Sequence, residues 1–270
     1  MSSYTTIYNN AKRQFAPAFK KELDLQVKQV VLTGDCSADG MKQTIRKLHG
    51  SLGVLMAHRT NREVRRQVNQ KAMTPQEIWR KVILLYLDQF GLDKLTGDIA
   101  DTTQKDILAI LQRAEVEGLT IQQTLQYIEG LGYTSYRAEL IARTETAKAA
   151  NTGSMVGAIS TGLQTRKEWI SIQGARTRRI PRDQFDHYHM DGVQVDTDAY
   201  FSVPSRNGFS EQMLHPGDPN ASAGNVCNCR CTVGFEAVRD ANGSPIRQQS
   251  APIGNAGIIY QLLQSQKVFA

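Results

Sequence analysis

The sequence predicts an α+β protein: a helical N-terminal region, then a mixed domain of helices and a small, mostly antiparallel sheet. Three observations predict it. Apolar residues recur at three- and four-residue spacing from Thr5 to about Ser160. Beyond Gly162 that period gives way to two-residue alternation, as at Val193 and Val195 and again at Phe201 and Val203. The chain has 270 residues, 40% hydrophobic and 21% charged, which is the composition of a globular protein long enough for one large or two smaller domains.

Taken in order, Phe15, Phe19, Leu23, Val27 and Val30 line one face of a first helix within Thr5–Val31, with Pro17 inside it as a kink or a true start. Thr33-Gly34-Asp35 turns the chain. Ser37 caps a second helix whose face carries Met41, Ile45, Leu48, Leu52 and Leu55, alternating steps of four and three. Arg59, Arg62, Arg65, Arg66 and Lys71 follow, either a solvated helix face or a stripe facing phosphates or an acidic partner. Thr74-Pro75-Gln76-Glu77 combines a capping threonine, a first-turn proline and an acidic third position, and so starts a helix with Trp79, Val82, Ile83 and Tyr86 on its apolar face. Asp101-Thr102-Thr103-Gln104 is expected to cap a helix ending at Glu117-Gly118, and Thr120 to cap another ending near Gly130. A longer helix, about Ser135 to Ser160, carries a ridge of small residues: Ala142, Thr146, Ala149, Ala150, Gly153 and Gly157. Each helical glycine costs ~1 kcal/mol relative to alanine, so the pair implies close packing against another backbone. Arg143 and Glu145 on that helix are expected to anchor a buried ion pair.

In the second half, Trp169-Ile170-Ser171-Ile172 is predicted as a strand, and the alternating pairs as two more. Pro204 to Ala223 is predicted as a long loop, functional or held by partners, and Val226 to Val238 as a final strand. On that strand Cys227, Cys229, Cys231, Val233 and Phe235 share one face, and Asn228, Arg230 and Thr232 the other. Arg239 to Asn255 is rich in Gly, Ser, Pro and Gln and is predicted as a linker or arm. Ile258, Ile259, Leu262 and Leu263 then form a short amphipathic helix that must dock on its own domain or on a neighbouring subunit.

Lys and Arg outnumber Asp and Glu by 32 to 26, a net charge of +6 that is compatible with residence near nucleic acid. No apolar run reaches the ~18–20 residues of a membrane helix, and the N-terminus lacks the pattern of a secretory signal. With four cysteines the chain is expected to be made in a reducing cytoplasm rather than as a disulfide scaffold.

Four elements stand in order: Ile141-Ala142-Arg143-Thr144-Glu145 on a helix; Trp169 followed by Arg176-Thr177-Arg178; His187-Tyr188-His189-Met190-Asp191-Gly192; and Pro216-Gly217-Asp218-Pro219 followed by Asn228-Cys229-Arg230-Cys231. Jointly these resemble the phage Mu F-like head-morphogenesis domain of minor capsid proteins, over about Asp98 to Phe235. The sequence departs from the family pattern in a longer basic spacer, Arg179 to Asp186, and in the additional Cys227; His187 fits the family histidine better than His189. The resemblance implies three segments: a helical N-terminal region at 1–97, the Mu F-like domain at 98–238, and a linker with a short C-terminal helix or arm at 239–270. It implies a non-enzymatic minor structural protein of a tailed-phage head, located in the virion at the portal vertex or capsid interior. Its partners would be the portal and other capsid proteins, without a membrane, and it would assist head morphogenesis, DNA packaging or DNA delivery. The motif residues implied are Arg143, Glu145, Trp169, Arg178, His187, Asp191, Gly192, Asp218, Asn228, Cys229, Arg230 and Cys231.

Other chemistry competes for the same residues. His187, Cys229 and Cys231 could hold zinc, with Cys227, His189 or His215 as the fourth ligand; buried thiols or a disulfide are the alternatives. His187, Asp191, Asp218 and Arg230 could form an acid–base cluster with Cys229 as nucleophile. Asp191-Gly192 and Pro216-Gly217-Asp218 are also strong turn formers, and Arg178 or Arg230 could pair with their carboxylates. Asn228 and Arg230, on the face opposite the cysteines, are the expected groups to pin His187, Asp191 and the Pro216–Pro219 loop. Arg176, Arg178, Arg179 and Arg182 could contact the phosphates of packaged double-stranded DNA or an acidic portal surface, with no base-reading motif. The alternative function is a phage-encoded enzyme or zinc-dependent DNA-binding factor acting on packaged DNA.

Overall fold

A computed structural model describes residues 2–72 and 75–269. The fold is α+β as expected, helical first and then built on small antiparallel sheets. The helices are α1 (Ser2–Thr33), α2 (Asp39–Leu48), a π-helical turn at His49–Gly53, α3 (Val54–Gln67), α4 (Gln76–Gln89), α5 (Leu92–Val116), α6 (Ile121–Gly130) and α7 (Tyr133–Ile159). Strands β1 (Thr165–Ile170), β2 (Gln194–Asp196), β3 (Phe201–Pro204) and β4 (Ser210–Met213) follow, then the one-turn helix α8 (Ala223–Val226), strand β5 (Thr232–Ala237) and helix α9 (Gly254–Ser265). Two compact units interleave along the chain: Met1–Lys47 with Gly91–Arg143, and Leu48–Phe90 with Thr144–Ala270.

The first unit is helical. Pro17 lies within α1, and Phe19, Leu23, Val27 and Val30 are buried along one face as their spacing predicts. Val27 and Val30 pack with Ile107 of α5 and Ile128 of α6. Thr120 makes a full capping box with Gln123. Asp101–Gln104 does not cap a helix. It lies inside α5, where the Thr102 and Thr103 hydroxyls donate to the carbonyls of Asp98 and Ile99, so each threonine is satisfied within its own helix.

In the second unit the ridge of small residues on α7 meets backbone. A Cβ on Gly153 would lie 2.2 Å from the carbonyl oxygen of Gly53, and one on Gly157 would lie 2.3 Å from that of Ala57. The π-helical turn that brings Gly53 there inserts an extra residue into the helical register. Val54 and Met56 are buried as a result, while Leu55, expected on the apolar face, is 48% exposed. Trp79, Val82, Ile83 and Tyr86 of α4 form the core expected of them, joined by Met155, Val156 and Ile159. Of the residues predicted to start α4, Thr74 lies outside the described residues. Helix α9 docks on this same unit, burying Ala256, Ile259 and Leu263 in the α4 core. The segment before it is tied down too: Ile246 accepts from the Gln164 amide, and Gln248 donates its amide proton to Gly162.

The sheet order is β2-β1-β5, all antiparallel, with Trp169 opposite Val233. Strand β1 begins at Thr165 and ends at Ile170, so Ile172 lies beyond it, 57% exposed. The Pro204–Ala223 segment is not one long loop, because β4 turns back and pairs with β3. The final strand starts only at Thr232. Before it come the turn of α8 and Asn228 at φ +62°, a left-handed conformation that ends any strand alternation. Cys227 is therefore exposed rather than sharing a face with Cys229 and Cys231, both of which are buried.

Candidate functional site

His187 is held by its backbone first: its amide, like that of Tyr188, donates to the carbonyl of Arg178. Its ring is 1% exposed and packs edge-on to Trp169, with centroids 5.2 Å apart. The Nδ1 atom lies 3.5 Å from Cys229 Sγ and 3.7 Å from Cys231 Sγ. The Nε2 atom meets Asn225 Oδ1 in a short hydrogen bond. Asn225 is itself oriented, since its Nδ2 donates to Glu211 Oε2 at 2.8 Å. With its amide nitrogen committed to a carboxylate, Asn225 presents an acceptor to His187. That places the imidazole proton on Nε2 and turns the Nδ1 lone pair toward the two sulfurs.

The Cys231 amide donates to Cys229 Sγ at 3.4 Å. A hydrogen bond from Cys231 holds the Cys229 thiol well below the ordinary range against the opposing effect of burial, with His187 assisting. The same bond, together with burial, pushes Cys231 up. Both cysteines, His187, Asn228, Arg230, Arg176 and Arg178 line a cleft of about 140 Å³, together with Ile172, Gly174, Ala175 and Thr177. Among the described residues, the group able to hold a metal contains His187, Cys229 and Cys231. The expected fourth ligands lie elsewhere. His215 is turned toward the Pro216 carbonyl and Thr152, His189 pairs with Asp186, and Cys227 is exposed.

The other motif residues hold backbone in place. Asp191 accepts from the Ser171 amide at 2.7 Å. Asp218, fully buried, accepts from the Leu214 amide at 2.7 Å and the Asn220 amide at 2.9 Å. Gly192 has φ +79°, as its turn demands. The Arg178 guanidinium donates to the carbonyl of Cys227 rather than to either carboxylate. Asn225 bonds the His187 ring, the Ser171 amide donates to Asp191, and Asn151 donates to the Pro216 carbonyl. The Asn228 amide donates to the Thr144 hydroxyl. Asn151 is the largest clamp: its Nδ2 donates to the carbonyls of Pro216 and Cys231, and its Oδ1 accepts from Thr232 Oγ1 and the Val233 amide. Its sequence signal was an amide among the alanines and glycines of a close-packed helix.

Glu145 is buried but does not pair with Arg143. It meets Lys148 at 2.9 Å and His49 at 3.3 Å, whereas Arg143 pairs with Glu139 one turn back on α7. The two residues are two positions apart, and side chains at that spacing do not face each other on a helix. Burial raises the Glu145 pKa, but Lys148 and His49 outweigh it and bring the carboxyl down to about 2. A further buried cation was not anticipated. Lys167 donates to the carbonyls of Thr197 and Leu214, and burial lowers its pKa to about 7 against the pull of Asp218 and Asp198. Of the basic segment, Arg176, Arg179 and Arg182 are exposed. Arg179 stacks on Tyr188, and Arg182 donates to the carbonyls of Ala175 and Thr177.

Comparison with known families decides the relationship. The family described as Phage Mu protein F like protein matches residues 105–234. Residues 105–234 thus carry a Phage Mu F-like domain. The match suggests a phage head-morphogenesis protein, and with it a location in the virion. No curated protein and no solved structure matches the chain. The Mu F-like match takes in Trp169, His187, Asp191, Asp218, Cys229 and Cys231; Trp169 and both cysteines share one core, and His187 packs on Trp169. Among the described residues no helix is long and apolar enough to cross a membrane.

Proposed function

We propose that this protein is a minor, non-enzymatic component of a tailed-phage head, attached to the portal vertex or inner capsid and assisting head morphogenesis, DNA packaging or DNA delivery. The Mu F-like match over residues 105–234 carries this reading. A structural rather than catalytic role is supported by the carboxylates of the motifs. Asp191 and Asp218 each accept backbone amide protons, so their lone pairs fix loops rather than await a substrate. The portal and other capsid proteins are the expected partners. The helical unit offers them exposed apolar side chains at Leu25, Leu32, Val116 and Tyr136. Packaged DNA is met through its phosphates at the exposed Arg176 and Arg179.

Quantitative mass spectrometry of purified procapsids and virions tests the proposal. The protein should be present in both, at a copy number close to that of the portal and far below that of the major capsid protein. Its absence from both particles would overturn the structural role.

A further inference from the structure

We propose that His187, Cys229 and Cys231 bind one zinc ion, with a fourth coordination position facing the cleft and filled by water. Zinc bonds to thiolate at ~2.3 Å and to imidazole nitrogen at ~2.0–2.1 Å, so a tetrahedral site has nitrogen-to-sulfur edges of ~3.5–3.6 Å. His187 Nδ1 lies 3.5 Å and 3.7 Å from the two sulfurs, which are the edges of such a tetrahedron.

Two further features point the same way. The Glu211–Asn225–His187 relay commits the Nε2 proton, so the donor atom turned to the sulfurs is the unprotonated Nδ1. Metal-bound histidines are held in this way, by a partner on the far ring nitrogen that is itself hydrogen-bonded. The Cys231 amide, meanwhile, donates to Cys229 Sγ, which offsets part of the thiolate charge. Two thiolates and a neutral imidazole suit zinc better than the hard cations magnesium and calcium, which prefer oxygen ligands. All three ligands line the one cleft, so the remaining position opens there. The ion would clamp the Cys229–Cys231 segment onto the loop carrying His187.

The test uses the full-length protein, prepared under reducing conditions and equilibrated with zinc before desalting. Elemental analysis should find about one zinc per chain. Replacing the zinc with cobalt(II) should give sulfur-to-metal charge-transfer absorption and the intense visible bands of a four-coordinate site. C229S, C231S and H187A should each lose the bound metal, while C227S and C36S keep it. Circular dichroism shows whether each variant is folded, and N225A is a milder probe, expected to weaken zinc by ~10–100-fold without removing a ligand. Less than a tenth of an equivalent of zinc in the folded wild-type protein would overturn the proposal. So would equal zinc binding by wild type and a folded C229S variant.

Discussion

At the scale of single residues, burial decides what each ionisable group can do. Glu145 illustrates it. Its pKa is about 2 in the folded protein against an ordinary 4.5, so the protein's preference for the charged form contributes stability above pH 4.5. That contribution is lost as pH falls from 4.5 toward 2. Glu145→Gln should remove this part of the acid dependence, seen as a flatter plot of denaturation midpoint against pH over that range. It should also destabilise the protein at neutral pH by ~3–5 kcal/mol, because Lys148 then lacks its buried counter-charge. Lys167 runs the other way. Burial lowers it to about 7 from 10.5, so charging it opposes folding below pH 7, and the opposition fades as pH rises from 7 toward 10.5. Wild-type stability to chemical denaturation, followed by far-ultraviolet circular dichroism, should carry both slopes.

At the scale of elements, two helices approach until only hydrogens fit between them. Gly153 and Gly157 of α7 allow the backbones of Gly53 and Ala57 to come within contact distance, and the π-helical turn at His49–Gly53 sets the register that brings Gly53 there. Alanine at 153 is the better helix former by ~1 kcal/mol, so propensity alone predicts a gain. Its Cβ would lie 2.2 Å from a backbone oxygen, so packing predicts a loss. Packing should win, because backbone cannot swing aside as a flexible side chain can. Gly153→Ala is expected to cost ~1–3 kcal/mol net, measured by urea denaturation, and a neutral or stabilising result would show that α7 can slide on its neighbour.

At the scale of the whole molecule, the relevant property is a net charge of +6, with arginines exposed at 176, 179 and 182. The segment matches no base-reading motif, so binding to duplex DNA should be independent of sequence and should weaken steeply with salt. Replacing Arg176 and Arg179 together with alanine should reduce the slope of log affinity against log salt by ~2, measured by fluorescence anisotropy with a labelled duplex. Binding unaffected by salt would rule out the phosphate contact.

Much was legible along the chain because periodicity reports which face of an element is buried. The α+β class, the faces of α1 and α4, the glycine ridge of α7, and the pairing edges at Val195, Phe201 and Val203 all followed from local spacing. So did the ordered motifs from Arg143 to Cys231 that carry the family resemblance. The tertiary structure alone decided the partners. Glu145 found Lys148 and His49 rather than Arg143, and β4 condensed from what was read as loop because Phe201–Pro204 was there to pair with it. The Cys227–Cys231 segment proved to be a turn, and the groups that orient His187 are Asn225 and Glu211, 38 and 24 residues downstream. Spacing along one element fixes which side a residue takes. It carries no information about which distant donor or acceptor lies on that side, and at buried polar groups that pairing determines the chemistry.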